Sequence, residues 1–244
     1  MSTLVKVARY HLVQPFQYLG LTWMVLAFTF AVNEIIFAVA PVSHHTVTTA
    51  HGLVSVASTD GRYTGALCSF FILFLVLGVT SIGRSLPFGL ALGMSRRSYY
   101  MGTALLAVVL ACADGLALTA LQAIERATDG WGVHMHFFRV AYLLNGPWYL
   151  TWLTSFVGLA LLFVYGMWFG IVHRRWNLFG TLTFIAAQVT VLLGAVLVIT
   201  WAHGWTGVGH FFTGLTVAGL TGLLAALAVA LLAGGHATIR RATV

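Results

Sequence analysis

The chain has 244 residues, 60% of them hydrophobic and 7% charged, with a formal net charge of +7. A soluble globular domain carries about 25% charged residues, so this composition excludes an ordinary water-soluble fold and leaves no room for a separate soluble domain. Six apolar stretches, at 18–40, 65–82, 102–124, 148–172, 178–200 and 211–232, have the length a helix needs to cross a hydrocarbon core. That core is about 30 Å thick and takes roughly 20 residues. The alternating segments of about ten residues that mark a membrane β-barrel do not occur. Backbone polar groups in lipid must be bonded within their own segment, so the six stretches read as helices. The expected fold is an all-α polytopic membrane protein with a single six-helix transmembrane domain over 18–232.

Residues 1–17 form an N-terminal segment in which Leu4, Val5, Val7, Ala8, Leu12 and Val13 interleave with Lys6, Arg9 and His11 before Pro15. The pattern fits an amphipathic helix on the inner leaflet, and equally a basic tail that sets topology. The first apolar stretch is too long for a signal-peptide core and no small-residue cleavage site follows it, so it reads as a retained span.

Cytoplasmic loops collect Lys and Arg. With the N-terminus inside, the inner segments hold Lys6, Arg9, Arg84, Arg96, Arg97, Arg174, Arg175, Arg240 and Arg241, against Arg62, Arg126 and Arg139 outside. The acids Glu34, Asp60, Asp114, Glu125 and Asp129 all fall in spans or outer loops. Both termini are therefore expected in the cytoplasm, with 233–244 as a cytoplasmic tail.

The outer gaps at 41–64 and 125–147 have room for short re-entrant or interfacial helices, most plainly over 133–144. His44, His45, His51, His134, His136, His203 and His210 lie on or near the outer side, but only two pairs are close in sequence. A metal site needs converging ligands with a supporting shell, and none is expected. Cys68 and Cys112 differ in depth by roughly 13 Å at 1.5 Å per residue. A disulfide needs Cα atoms within about 7 Å, so both are expected to be free, buried thiols.

Two acids lie inside spans: Asp114 near the midplane of the third, and Glu34 about two turns from the outer end of the first. Intramembrane acids are costly and raise a functional hypothesis by default. Gln188 lies near the depth of Asp114, which leaves open a structural hydrogen bond or a translocation pathway formed by Asp114, Glu34 and Gln188. Gly166 and Gly170, and the run Gly214, Ala218, Gly219 and Gly222, permit close helix approach.

The inner gap between the second and third stretches is unlike the others. Ser85 is a plausible N-cap and Pro87 is tolerated in a first turn. Residues 86–92 then make a short apolar helix that Gly93 ends, and Ser95 caps the next helix. Arg96 and Arg97 fall in the first turn of that helix, where the macrodipole disfavours cations. Headgroup anchoring or docking to a cytoplasmic partner must favour them there.

The run Leu86-Pro-Phe-Gly-Leu-Ala-Leu-Gly-Met-Ser-Arg-Arg-Ser-Tyr-Tyr100 resembles the first cytoplasmic loop of small ABC-2-type transporter permeases, the type V exporter fold. The resemblance covers the whole chain in architecture and these fifteen residues in detail. It implies a coupling helix that seats in a groove of a separate ATP-binding subunit, with Pro87, Phe88, Leu90, Gly93, Ser95, Arg96 and Arg97 in that role. Many relatives place short re-entrant helices between spans 5 and 6; here the gap is 201–210, so any such element must be very short. The inner loop 173–177 is too short for a long coupling helix and reads as a stop-transfer anchor.

Lys6 is the only lysine, and it lacks the Gly-x-x-x-x-Gly-Lys-[Ser/Thr] context of a phosphate-binding loop. The resemblance therefore implies that ATP and Mg bind a partner, that this chain is not itself an enzyme, and that it holds no cofactor. The implied partners are two ATP-binding-cassette ATPase subunits, a second permease subunit, identical or diverged, and membrane lipid, with no nucleic acid. The implied location is the cell's inner (plasma) membrane, and the implied substrate is hydrophobic or amphipathic: a lipid, peptide or drug. The alternatives are a six-span substrate-binding component of an importer and a membrane-embedded enzyme or haem protein. Neither a Gly-x-Ser-x-Gly-type serine nor histidine pairs inside the spans are evident for the latter.

Overall fold

The computed structural model describes residues 18, 20–39, 44–49, 52–57, 67–83, 85–138 and 147–241. The N-terminal segment 1–17 and Arg84 lie outside the described residues, as do Arg62, Arg139 and residues 139–146. The helices are α1 (Leu21–Val39), α2 (Cys68–Gly83), α3 (Leu86–Ala91), α4 (Arg96–Ala127), α5 (Trp148–Trp201), α6 (Trp205–Gly214) and α7 (Val217–Arg241). Helices α1, α4, α5 and α7 contain segments long and apolar enough to cross a membrane; α2 is apolar but has 16 residues.

Helix dominates the described residues, with one exception. The outer gap expected to hold short helices contains an antiparallel hairpin, β1 (His44–Thr49) and β2 (Gly52–Ala57), with His44 opposite Ala57 and Thr49 opposite Gly52. Its Thr- and Val-rich composition favours a pleated strand. The helix expected over 133–144 is also absent from its described part. A single irregular turn, Gly130–His134, is followed by extended backbone at Met135.

Helix α5 runs nominally through 54 residues, which would extend about 80 Å if straight. It folds back instead. The Tyr165 hydroxyl donates to Gln188 Oε1 at 2.7 Å, the Phe169 and Phe184 rings lie 5.2 Å apart, and His173 Nδ1 is 3.2 Å from Thr181 Oγ1. All three pairs are centred on Trp176–Asn177, where Asn177 leaves helical geometry at φ 54°, ψ −152°. The helix is therefore an antiparallel hairpin of two arms, 148–176 and 178–201. Each arm is at least as long as the roughly 20 residues a bilayer requires.

The other boundaries shift in ways local chemistry explains. Helix α4 begins before 102 because Ser95 Oγ accepts the Ser98 N–H at 3.1 Å, and it runs past 124 to a stop at Thr128. Residues 211–214, expected to open the last span, belong to α6. Helix α7 starts afresh where Thr216 Oγ1 accepts the Gly219 N–H at 3.1 Å. It continues to Arg241, so the expected tail begins as helix.

The core sits between α2, α4 and the first arm of α5. Phe70, Phe74, Ile82, Tyr99, Ala111, Leu159, Phe163 and Met167 are fully buried there. Helices α2 and α5 approach so closely that a Cβ at Gly78 would overlap the Phe163 carbonyl oxygen, and one at Gly166 the Leu75 carbonyl oxygen. Gly170 continues the contact, with the Val79 carbonyl 2.9 Å from where its Cβ would be. The Gly166/Gly170 pair thus serves packing within the chain. Gly214 and Gly222 meet nothing within 4 Å, and the second arm of α5 is exposed along most of its length.

Candidate functional site

The tertiary contacts sort the molecule into two ends. At one end lie the close of α2, helix α3, the start of α4, the reversal at Asn177 and the last turns of α7. Tyr99 and Tyr100 tie them together: the Tyr99 hydroxyl donates to the Ser81 carbonyl at 2.7 Å, and Tyr100 donates to the Leu232 carbonyl at 3.0 Å. Gly170 packs on Ile82. Arg96, Arg97, Arg174 and Arg175 therefore share this end.

Helix α3 is short but rigidly closed. The Gly93 N–H donates to the Leu90 carbonyl at 2.9 Å and the Met94 N–H to the Gly89 carbonyl at 3.1 Å, with Gly93 at φ +78°. This paired bonding is the Schellman helix stop, which needs a residue free to take positive φ. Gly89 rests directly on the Tyr99 ring, 2.5 Å from where its Cβ would be, so any side chain there would push α3 off α4. Pro87 and Leu90 are half-buried in this packing. Ser95 is spent on capping α4. Arg96 is half-buried and Arg97 exposed, and Leu92 is 64% exposed. Phe88 lies within α3, and its side chain is outside the described ones. Tyr99, Tyr100, Gly89 and Leu92 were not singled out from sequence, because their roles depend on contacts with Ser81 and Leu232 far along the chain.

Asp114, Glu34 and Glu125 lie away from that end. Asp114 is buried at 3% exposure, facing the protein interior, and its Oδ1 accepts the Trp23 Nε1–H at 2.9 Å. Its Oδ2 is buried with no hydrogen-bond partner among the described residues. The hydrogen bond to Gln188 that the sequence left open is not seen: Asp114 accepts from Trp23, and Gln188 accepts from Tyr165 in the α5 hairpin. Glu34 lies on the face of α1 that carries Phe30 one turn earlier, and its Oε2 is buried with no hydrogen-bond partner among the described residues. Of the three expected pathway residues, Asp114 meets α1 at Trp23, Glu34 lies eleven residues further along that helix, about 16 Å away, and Gln188 lies in the α5 hairpin.

Glu125, read from sequence as an outer-loop acid, is instead a buried residue of α4 at 1% exposure. Its Oε2 accepts the Phe137 and Phe138 N–H groups at 3.0 and 2.7 Å. That carboxylate ties the irregular segment back to α4, and Phe30 of α1 packs on its rings. A cavity of about 220 Å³ results, walled by Trp23, Phe30, Trp131 and Phe138. Leu26, Ala27 and Leu121 complete its lining. Phe30 packs edge-on to Trp131 with centroids 5.0 Å apart and stacks on Phe138 at 5.9 Å. These aromatic residues carried no signal in sequence, where Trp and Phe are frequent along every span.

Cys68 and Cys112 are both free; Cys68 is exposed rather than buried. Among the described residues no three His, Cys, Asp or Glu side chains converge as a metal site. No protein-family model, curated protein or solved structure matches the chain.

Proposed function

We propose that the chain is the transmembrane permease subunit of an ATP-binding-cassette exporter, with six membrane spans and both termini in the cytoplasm. The six spans are α1, α2, α4, the two arms of α5, and α7. The end bearing Arg96, Arg97, Arg174 and Arg175 faces the cytoplasm, in keeping with the inward bias of Lys and Arg. Two separate ATPase subunits bind ATP and Mg, and two permease chains enclose the pathway for a hydrophobic or amphipathic substrate.

The observation that carries this reading is the construction of α3. A six-residue helix alone in water is unstable. This one is closed by a Schellman stop, seated on Tyr99 and bonded through Tyr99 and Tyr100 to α2 and α7. Leu92, just past its end, and Arg97, in the first turn of α4, are exposed. A rigid projection joined to several spans suits the transfer of motion from a partner that changes shape on binding nucleotide.

The test is affinity purification from membranes with an assay of ATP hydrolysis. The wild-type chain is expected to bring down an ATP-binding-cassette ATPase, and Arg97→Glu or Leu92→Asp to release it while leaving the permease folded. Absence of such an ATPase from the wild-type preparation, or undiminished capture by both variants, overturns the reading.

A further inference from the structure

We infer that the cavity between α1, α4 and the 130–138 segment is a binding site for a small organic cation, of the quaternary ammonium or protonated amine class. This goes beyond the transport reading and does not depend on it.

Size comes first. One water occupies about 30 Å³, and an apolar cavity of about 150 Å³ accepts a benzene. At about 220 Å³ this cavity has room for one aromatic ring and a compact head group.

Charge follows from the walls. Trp23, Phe30, Trp131 and Phe138 line the space, and an aromatic ring attracts a cation held over its face within about 6 Å of the ring centre. The same faces repel an anion. Behind one wall, the Asp114 carboxylate accepts the Trp23 indole N–H, which pushes electron density into the ring and strengthens that attraction. Asp114 forms no ion pair among the described residues, and its second oxygen is buried without a partner. An unpaired buried carboxylate is costly, and a nearby positive charge offsets that cost. A cation bound against Trp23 supplies a counter-charge that Asp114 does not have among the described residues.

A lipid acyl chain would fill the same space, but it would bring no charge to offset the Asp114 carboxylate behind Trp23. Charge is therefore what the experiment must separate. The probe is phenyltrimethylammonium, with tert-butylbenzene as the neutral carbon isostere. Binding is measured by isothermal titration to the full chain in lipid nanodiscs, with empty nanodiscs as the blank.

The cation is expected to bind saturably, at least about tenfold more tightly than the isostere, the scale of a desolvated cation–π contact. Asp114→Asn keeps an acceptor for Trp23 and removes the charge; it is expected to weaken the cation by about tenfold and leave the isostere unchanged. Trp131→Leu is expected to weaken the cation by a similar factor. Should Trp131→Leu not fold, Asp114→Asn decides. No saturable binding, equal affinity for cation and isostere, or wild-type cation affinity in Asp114→Asn overturns the inference.

Discussion

Three polar side chains in this protein tie one segment to another. Trp23 reaches Asp114 across 91 positions, Tyr100 reaches Leu232 across 132, and Glu125 gathers two N–H groups beyond its own helix. Their removal has unequal consequences. Trp23→Phe keeps the ring but strips Asp114 of its only hydrogen bond among the described residues, so both carboxylate oxygens are left buried and unsatisfied. A loss of about 1–3 kcal/mol is expected, read from unfolding in detergent. Glu125→Ala leaves the Phe137 and Phe138 amides without their acceptor. Hydrogen exchange at those two amides is expected to accelerate markedly while the α2–α4 core stays protected.

At the scale of elements, the packing of α2 on α5 depends on three glycines and the α5 reversal on one asparagine. Gly166→Ala places a methyl onto the Leu75 carbonyl and forces the two helices apart. A cost of about 1–3 kcal/mol is expected, as for overpacking in a core. Gly222→Ala meets nothing within 4 Å and serves as the control, expected to leave stability unchanged. Asn177 sits at φ 54°, ψ −152°, close to a region that only glycine occupies without strain. Asn177→Gly is expected to raise stability by up to about 1–3 kcal/mol, and Asn177→Val to lower it.

At the scale of the whole molecule, the arrangement of charge and burial predicts topology. With Cys68 and Cys112 replaced by serine, single cysteines at Arg97 and Arg175 are expected to react with a membrane-impermeant thiol reagent from the cytoplasmic side only. A cysteine at Arg126 is expected to react from the other side. Labelling of Arg97 and Arg126 replacements from the same side would break the proposed six-span path. The second arm of α5 and much of α7 expose Leu192, Leu197, Val198, Leu227 and Val229, which in a bilayer require no water-facing partner.

The amino-acid sequence by itself determined that the chain is a bundle of long apolar helices. Composition and segment length need no knowledge of neighbours, because a bilayer-length apolar run has few other stable states. It also located the Ser95 cap and the Gly93 stop, whose chemistry lies within a few residues. The antiparallel fold of α5 was legible as two stretches separated by His173-Arg-Arg-Trp-Asn177. Only the tertiary structure decided which polar groups meet. It paired Asp114 with Trp23 instead of Gln188, and it moved Glu125 from a loop into the interior. It also assembled four aromatic rings from α1 and the segment after α4 into one cavity. Depth along a span can be counted from sequence, but the direction in which a side chain points depends on how each helix is rotated against its neighbours. In an almost uniformly apolar helix no polar face specifies that rotation, and contacts such as Gly78 on Phe163 set it instead.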